Sequence, residues 1–465
     1  MPTPRRRSGP AWQMAFLAGA AALLLFIAWH RPPEYDEAYS IFLTAGHARP
    51  VWPLGVFTAG SVRGLYAGRA GFGQIAHDLR VGDVHPPLYF WALEIWRQVV
   101  GPSWFAARAL SVLFSLGTLA LLARLAALAE VPVLPALGLT LLSYGFAYTG
   151  IVARGFALAQ MLNMAGVLTV FLAARRGSWR WSLAGGVALG AAGFSNYLAV
   201  FTGAAALLWL GCVRWRALPM ALAGFVLFLP LDAWFFLAQR GSRLGQFEAF
   251  SLPHALALLG RDGGAALFGG LPVYAGRFGV PVALALLGLF LAGLWYVLRR
   301  RHAQAGLFAL LGLATPVGLL ALGIVFHNTP IELRYLAFAI PFLALLLAPA
   351  LPRPLLGLIL AVQGCAIVGL AFAPATMQPQ GLAARAAAAY PGVLVLVPFG
   401  NDGVGLPGPF IAAAPDDIRI LLVHPGALPP LPEQILFANI HIDTASRAVP
   451  DPVGCAPRKI LSLCP

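Results

Sequence analysis

The stretch AWQMAFLAGAAALLLFIAW, residues 11–29, decides the fold class of this chain. It contains no charged side chain. A helix needs about 20 apolar residues to cross a bilayer, so the stretch predicts a membrane-spanning helix. Its length and the lack of a small-residue cleavage site after it favour a retained helix over a signal peptide.

Similar apolar runs recur along most of the 465-residue chain, which is 60% hydrophobic and only 10% charged. Soluble domains carry about 25% charge, so a soluble protein is excluded. The net charge of +14 comes from arginines between the apolar runs and not from one basic face, so no nucleic-acid partner is expected. We predict about eleven spanning helices, at residues 11–29, 106–128, 132–151, 155–174, 181–195, 197–212, 217–238, 278–298, 304–326, 335–350 and 354–374.

Arginines in alternate loops orient these predicted helices, because basic residues favour the cytoplasmic side of a membrane. The N-terminal residues Arg5, Arg6 and Arg7 place the N-terminus in the cytoplasm. An odd number of spans then places the C-terminus on the outer side. The apolar run Leu88–Val100 is too short to span, and it predicts an amphipathic helix at the outer membrane surface.

The predicted chain has two parts. Residues 1–374 form the membrane region, and residues 30–105 within it form a long outer loop, called the first loop below. Residues 375–465 have strand-like runs between Gly, Pro and Asp turns, which predict a small extracytoplasmic α/β domain. In this domain Cys455 and Cys464 are compatible with a disulfide and equally with two free thiols.

The carboxylates of the membrane region gather in the first loop, beginning with Glu34, Asp36 and Glu37 directly after the first helix. A carboxylate at a membrane boundary is partly desolvated and can act as a base towards a hydroxyl group. The alternative is that Asp36 or Glu37 only caps the helix that follows. The sequence leaves both interpretations open.

A second cluster in the first loop contains Asp83 and His85, followed by Pro86 and Pro87. The two prolines fix an extended chain that orients the acid and the histidine. Such a pair can ligate a divalent metal, bind a phosphate oxygen or only close a turn. No cofactor is certain from this pattern, and a divalent metal is one alternative.

Arginines at the outer ends of predicted helices are a third feature. Arg154 lies between two spans, and Arg334 and Tyr335 open another. Boundary arginines are costly unless they are paired, and an arginine cluster is well suited to a phosphate. The alternative is a pair of membrane anchors. Asp232, near the outer end of a further span, is expected to pair with one of these arginines.

The order of these motifs resembles the GT-C fold membrane glycosyltransferases of the protein O-mannosyltransferase and aminoarabinose-transferase superfamily, in particular its bacterial members. The resemblance covers most of residues 11–375 and depends on YDEA at 35–38, DVHPPLY at 83–89, GPS at 101–103 and RALS at 108–111. Weaker matches are RGFAL at 154–158, SNYL at 195–198 and ELRY at 332–335. The family usually has an acidic residue directly before the arginine at 154, where this chain has Ala153.

The resemblance implies an enzyme of a bacterial plasma (inner) membrane that takes a sugar from a polyprenyl-phosphate-linked donor. It would transfer this sugar, with inversion, to a hydroxyl of a protein, lipid or glycan acceptor at the outer face. Asp36 would be the general base, and Glu37 would orient it or share its proton. The residues expected to bind the donor phosphate are His85, Arg154, Arg334 and Tyr335. Supporting residues would be Asp83, Tyr89, Arg108, Asp232, Arg240 and Arg243.

Two other classes of function are alternatives to this one. A transporter or lipid flippase predicts discontinuous helices in matched halves and repeat symmetry, and the sequence pattern indicates neither. A non-catalytic member of the family is the third alternative, and the presence of Asp36, His85 and Arg154 argues against it.

Overall fold

The computed structural model describes residues 10–239, 241, 247–299, 304–373 and 379–424, with three further strand segments at 435–438, 456–457 and 461–464. Arg240, Arg243 and Cys455 lie outside the described residues. The helices before the last apolar run are α1 Pro10–His30, α2 Tyr35–Thr44, α3 Phe72–Gly82, α4 Leu88–Val100, α5 Trp104–Leu128, α6 Val133–Leu141, α7 Tyr144–Ile151, α8 Phe156–Arg176, α9 Trp179–Gly193, α10 Ala199–Arg214, α11 Leu218–Val226, α12 Leu229–Ala238, α13 Leu252–Phe268, α14 Leu271–Tyr274, α15 Gly279–Arg299 and α16 Ala305–Phe326. The later helices are α17 Ile340–Leu347, α18 Arg353–Phe372, α19 Pro379–Ala387 and α20 Pro407–Ala413.

The prediction of an α-helical multi-pass membrane protein is confirmed. Seven of the described helical stretches are long and apolar enough to cross a membrane: Ala11–His30, Trp104–Leu128, Phe156–Arg176, Ala199–Val226, Gly276–Val297, Ala305–Phe326 and Arg353–Phe372. An eighth crossing results if α6 and α7 are counted as one broken span. The total of about eleven spans stays a prediction.

The stretch Ala199–Val226 turns back on itself between α10 and α11. A Cβ atom added to Gly211 would lie 3.3 Å from the side chain of Leu218. One added to Gly203 would lie 2.8 Å from the ring of Phe225. The contacting residues are therefore 7 positions apart near the turn and 22 positions apart farther from it, which is typical of two antiparallel helices. This geometry favours two passes here, as predicted for residues 197–212 and 217–238.

Helices α6 and α7 form a discontinuous stretch that the sequence does not indicate, and they meet at an angle of 66°. The sequence between them has no proline or glycine that would mark a break. Instead, tertiary contacts stabilise it. Ser143, which precedes α7, donates a hydrogen bond from Oγ to the carbonyl of Ala266 on α13 at 3.4 Å.

The first loop is folded and mainly helical, with α2, α3, α4 and a 3-10 helix over Gly60–Tyr66. The helix predicted over Leu88–Val100 is confirmed at the same bounds. Pro87 occupies its N-cap position, where a missing backbone N–H costs nothing. Its amphipathic face packs inward through Tyr89, Phe90 and Leu93, all fully buried.

A mixed sheet joins the first loop to the C-terminal segment, in the strand order β1-β3-β2-β4-β6-β5. The strands are β1 Phe57–Thr58, β2 Leu394–Pro398, β3 Arg419–Val423, β4 Ile435–Ala438, β5 Ala456–Pro457 and β6 Leu461–Cys464. Strand β1 comes from the first loop and pairs antiparallel with β3, whereas β2 runs parallel to both β3 and β4. Phe42 and Phe57 of the loop share one hydrophobic core with Phe410 and Ile420. The C-terminal segment is therefore packed directly on α2.

Candidate functional site

The carboxylates of Glu34, Asp36 and Glu37, at the start of α2, have different partners. Glu34 is its N-cap residue, and its backbone N–H donates to Oε2 of Glu37 at 3.1 Å. The capping role left open by the sequence therefore belongs to Glu34 and Glu37. The carboxylate of Asp36 instead forms an ion pair with Arg334.

Glu37 is fully buried and bonded by Arg108, whose Nε lies 2.7 Å from Oε1 and whose Nη2 lies 2.5 Å from Oε2. The Glu37 carboxylate also accepts the N–H of Ala153 at 3.1 Å. With the N–H of Glu34, these bonds use the roughly four acceptor positions that a carboxylate offers. The geometry favours a structural role for Glu37, and its catalytic role stays a prediction.

Arg108 also connects this ion pair to the backbone at the end of α1. Its guanidinium also donates to the carbonyl oxygens of Ala28, Arg31 and Pro32, each at 2.7 Å. The Glu37–Arg108 pair thus fixes the end of α1, the start of α2 and the backbone directly before Arg154.

Asp36 and Arg334 form the first of two ion pairs at the candidate site. Both side chains keep 15% exposure, so the pair lies at the edge of the protein interior. Arg334 also contacts Glu332, with 2.5 Å between Nε and Oε2. Its guanidinium lies over the ring of the neighbouring Tyr335, 5.4 Å from the ring centre.

Asp83 and Arg154 form the second ion pair, with 3.3 Å between Oδ2 and Nη2. Nδ1 of His85 lies 2.8 Å from Oδ1 of the same carboxylate. Burial alone would raise the pKa of Asp83, but the charge of Arg154 and the His85 hydrogen bond hold this pKa well below its usual range. A carboxylate with so low a pKa is a weak base, so Asp83 is a poor substitute for Asp36.

Arg154 is buried between two aromatic rings, 5.6 Å from the ring centre of Phe90 and 5.8 Å from that of Tyr39. Its Nη1 lies 3.4 Å from Oγ of Ser40. Its Nε has no hydrogen-bond partner among the described residues. An unused donor on a buried arginine is costly, and an anionic oxygen is its natural partner.

The two ion pairs belong to one site because α2 carries a partner of each. Asp36 and Ser40 are four residues apart, which places them on one face of the helix. Asp36 holds Arg334 and Ser40 contacts Arg154. The structure therefore brings together Asp36, Asp83, His85, Arg154, Arg334 and Tyr335, which the sequence had placed in three separate motifs.

Two of the predicted supporting residues lie in other surroundings. Tyr89 is fully buried, and its hydroxyl lies 3.1 Å from Oγ of Ser111 on α5. The expected pairing of Asp232 with an arginine is not found within the described part of the chain, where its Oδ1 is buried without a hydrogen bond. Asp232 instead lies beside Gly193 of α9, where an added Cβ atom would be 3.1 Å from its Oδ2. Two further supporting residues, Arg240 and Arg243, fall outside the described ranges.

The possible metal ligands Asp83 and His85 form a pair and not a larger cluster. Across the described ranges, no group of three or more His, Cys, Asp or Glu side chains is arranged to hold a metal ion. Asp83 and His85 bind each other, and Asp83 also binds Arg154. A divalent metal at this pair stays a prediction.

Sequence reasoning missed two residues beside the site, Arg49 and Asp402. Nη2 of Arg49 lies 3.4 Å from Oδ2 of Asp402, and the hydroxyl of Tyr39 donates to Oδ1 of Asp402 at 3.1 Å. Asp402 belongs to the C-terminal segment, far from the motifs of the first loop. No local pattern marks it, because its importance arises only when the segment packs on α2.

The overall fold is similar to that of ArnT from Cupriavidus metallidurans, a GT-C fold glycosyltransferase. The crystal structure of ArnT bound to undecaprenyl phosphate matches with a TM-score of 0.51 and 14% sequence identity, covering 93% of this chain and 94% of that chain. Its apo structure matches with a TM-score of 0.50 and 15% identity, covering 92% and 93%. No protein-family model matches the sequence, and no curated protein is significantly similar to it. The comparison confirms the expected GT-C-like membrane fold.

Proposed function

We propose that this protein is a glycosyltransferase that moves a sugar from a polyprenyl-phosphate-linked donor to an acceptor hydroxyl at the outer face of the membrane. The observation that carries the proposal is the convergence of Asp36 with two arginines, Arg154 and Arg334, at one edge of the membrane region. The reaction needs a general base for the acceptor hydroxyl and cationic groups that bind the donor phosphate, and these residues supply both.

The similarity to ArnT supports the choice of donor. That protein was crystallised with undecaprenyl phosphate, and the match extends over nearly the full length of both chains. A lipid-linked donor also explains why the site should lie beside spanning helices. Its polyprenyl chain stays in the bilayer while its phosphate reaches the two arginines.

The reaction is a single displacement with inversion. The acceptor oxygen forms a bond to the anomeric carbon while the bond from that carbon to the phosphate oxygen breaks. The phosphate leaves with the electron pair and is held by Arg154 and Arg334. The proton of the acceptor hydroxyl goes to Asp36, and the sugar carries oxocarbenium character in the transition state.

Arg334 has two tasks in this mechanism. In the structure it neutralises Asp36 and contacts Glu332. A donor phosphate competes with Asp36 for the same guanidinium. When Arg334 turns to the phosphate, Asp36 loses its positive neighbour and becomes a stronger base. Donor binding thus prepares the base before the acceptor reacts.

The test uses purified protein in lipid nanodiscs. Undecaprenyl phosphate should bind with an affinity that falls as a competing inorganic phosphate is added. A panel of undecaprenyl-phosphate sugars, each radiolabelled, should then yield a labelled product with one of them in the presence of a membrane extract. Failure of undecaprenyl phosphate to bind would contradict the proposal.

One observation favours the rival class of transporters, namely the 66° break between α6 and α7, since transporter sites use broken helices. A matching break in a second half would be needed for that class. Among the described helices only this one pair is bent in this way. A flippase would move a fluorescent polyprenyl phosphate across vesicles without any change to the sugar, so the two functions give different products.

A further inference from the structure

The loop between β2 and α20, residues 399–406, approaches α2 on the side that carries Tyr35 and Tyr39. Within it, Oδ1 of Asp402 accepts the N–H of Val404 at 3.1 Å, which fixes the carboxylate in a local turn. Glycines at 400 and 403 have positive φ angles of 72° and 71°, a backbone shape that other residues rarely adopt. The loop therefore presents Asp402 in one defined position.

Two anchors hold this loop on the first loop. The indole N–H of Trp52 donates to the carbonyl of Gly403 at 2.7 Å. A side chain on Gly405 would overlap the ring of Tyr35, so only glycine allows so close an approach. Because Trp52, Gly403 and Gly405 are buried and Tyr35 is partly buried, Asp402 cannot withdraw without disturbing this interface.

From Asp402, one connection runs through Tyr39. The Tyr39 hydroxyl donates to Oδ1 of Asp402 at 3.1 Å and lies 3.0 Å from the hydroxyl of Tyr35. The ring of Tyr39 then contacts the guanidinium of Arg154 at 5.8 Å from its centre. A hydrogen bond to Asp402 thus fixes the ring on which Arg154 rests.

A second connection runs through Arg49. Its Nη2 lies 3.4 Å from Oδ2 of Asp402 and donates to the carbonyl of Gly82 at 2.6 Å. Gly82 directly precedes Asp83, the ion-pair partner of Arg154. The guanidinium of Arg49 also lies over the ring of Tyr39, 5.6 Å from its centre. Both connections therefore end at the Asp83–Arg154 pair and form a closed ring of contacts.

We propose that Asp402 is a positioning residue for the donor-phosphate site, so that the C-terminal segment is an integral part of that site. This inference rests on the proposed function, because it assigns a task to Arg154. Asp402 does not touch the reacting atoms. It fixes Tyr39 and Arg49, and these fix Arg154 and the backbone before Asp83.

The chain offers a matched control in Asp416. It also joins the C-terminal segment to the first loop through an arginine, with Nε of Arg63 2.9 Å from its Oδ1. Its described contacts are with the 3-10 helix at residues 60–66 and not with the site. Asp402→Ala and Asp416→Ala each remove an aspartate–arginine ion pair from the same interface, a partly buried one beside the site and a more exposed one remote from it.

The first measurement is the affinity for undecaprenyl phosphate in nanodiscs. Loss of a hydrogen-bonded positioning group should weaken binding about three- to tenfold in Asp402→Ala. Asp416→Ala should bind like the wild type. Tyr39→Phe should reproduce part of the loss, and the double variant with Asp402→Ala should lose less than the sum, because both act through one contact. Equal affinities of the two aspartate variants would overturn the inference.

The second measurement is amide hydrogen exchange in the segment 79–88, which needs no ligand. The N–H of Val84 donates to Oδ1 of Asp83 at 2.6 Å and reports on the order of that carboxylate. Asp402→Ala should increase exchange in this segment, whereas Asp416→Ala should leave it unchanged. If the wild type bound no undecaprenyl phosphate, the proposed function would fail while this measurement still decided the inference. Unchanged exchange in Asp402→Ala would contradict the inference that Asp402 positions the site.

Discussion

Asp36 at the first turn of α2 forms an ion pair with Arg334, which precedes α17 near the other end of the membrane region. The pair ties the first loop to the late helices. Both residues retain some exposure, unlike the buried Glu37–Arg108 pair one residue along the chain. Asp36 is therefore accessible to a substrate, whereas Glu37 is buried and stabilises the fold.

The two site arginines should be needed for donor binding. A hydrogen bond to a charged group contributes about 1.5–3 kcal/mol, so Arg154→Ala or Arg334→Ala should weaken undecaprenyl phosphate binding by roughly one to two orders of magnitude. The measurement is a binding titration in nanodiscs. Lysine at either position keeps the charge but loses the planar fork, so it should restore only part of the affinity.

Arg63→Ala is the control for these variants, since Arg63 pairs with Asp416 at a distance from the site. It should bind the lipid like the wild type. If Arg154→Ala and Arg334→Ala also kept full affinity in folded protein, both arginines would be structural anchors only.

The Glu37–Arg108 pair should matter for stability more than for chemistry. Removing one partner leaves the other charge buried and uncompensated, which costs about 3–5 kcal/mol. Glu37→Gln should therefore lower the midpoint of thermal unfolding clearly, as followed by intrinsic fluorescence in detergent. The protein that remains folded should bind donor normally. A stable Glu37→Gln variant without transfer activity would instead support the catalytic role predicted from the sequence.

The ion pair of Asp83 with Arg154 predicts a pH dependence of stability. Because the folded-state pKa of Asp83 lies below its unfolded value, the pair stabilises the protein above the unfolded pKa of about 3.9. This stabilisation is lost progressively as the pH falls from that value towards the lower folded-state pKa. The difference in unfolding temperature between wild type and Asp83→Asn should thus be largest near neutral pH and shrink towards pH ~3.5. A difference independent of pH would show that Asp83 acts through packing alone.

The sequence was sufficient for the helical multi-pass fold class because long apolar runs are a strong signal of membrane-spanning helices. It also singled out Asp36, Asp83, His85, Arg154 and Arg334, which lie together in the structure, since charged residues are rare beside apolar runs. The helix at Leu88–Val100 was predictable because the run is apolar, is too short to span and would break the alternation of arginine loops if it did.

Other features depend on contacts between distant parts of the chain. Strand β1 has two residues and no periodic pattern, so its pairing with β3 gives no signal in the sequence. The bend at Ser143 depends on α13, and the role of Asp402 depends on packing against Tyr39. The partners of Asp36 and Glu37 also differ only because successive residues point to different sides of a helix.

The predicted topology places both the first loop and the C-terminus outside the cytoplasm. Gly71 and Gly306 are exposed, and a Cβ added to either would meet no atom within 4 Å. In a variant with the four native cysteines replaced by serine, Gly71→Cys should react with an impermeant maleimide in intact cells. Gly306→Cys, at the inner end of the predicted span 304–326, should react only after permeabilisation. Labelling in the reverse order would place the candidate site on the cytoplasmic side.

The sharpest prediction concerns Asp36. A sugar hydroxyl has too high a pKa to lose its proton unaided, and a positioned base contributes about 10²–10⁴ in rate. Asp36→Asn keeps the shape of the side chain but removes the base. We expect transfer to fall at least about a hundredfold, measured as radiolabelled sugar released from its polyprenyl phosphate to the acceptor. Asp78→Asn, on α3 of the same loop, should transfer at the wild-type rate.

Donor binding separates this loss from a simple defect of the site. Asp36→Asn frees Arg334 from its carboxylate partner, so the variant should bind undecaprenyl phosphate at least as tightly as the wild type. Slower transfer with equal or tighter donor binding is typical of a lost base, because only the chemical step is affected. If Asp36→Asn bound donor poorly, the ion pair would serve to orient Arg334. If it transferred sugar at the wild-type rate, Asp36 would not be the base, and since Asp83 is held ionised by Arg154, Glu332 beside Arg334 would be the next carboxylate to test.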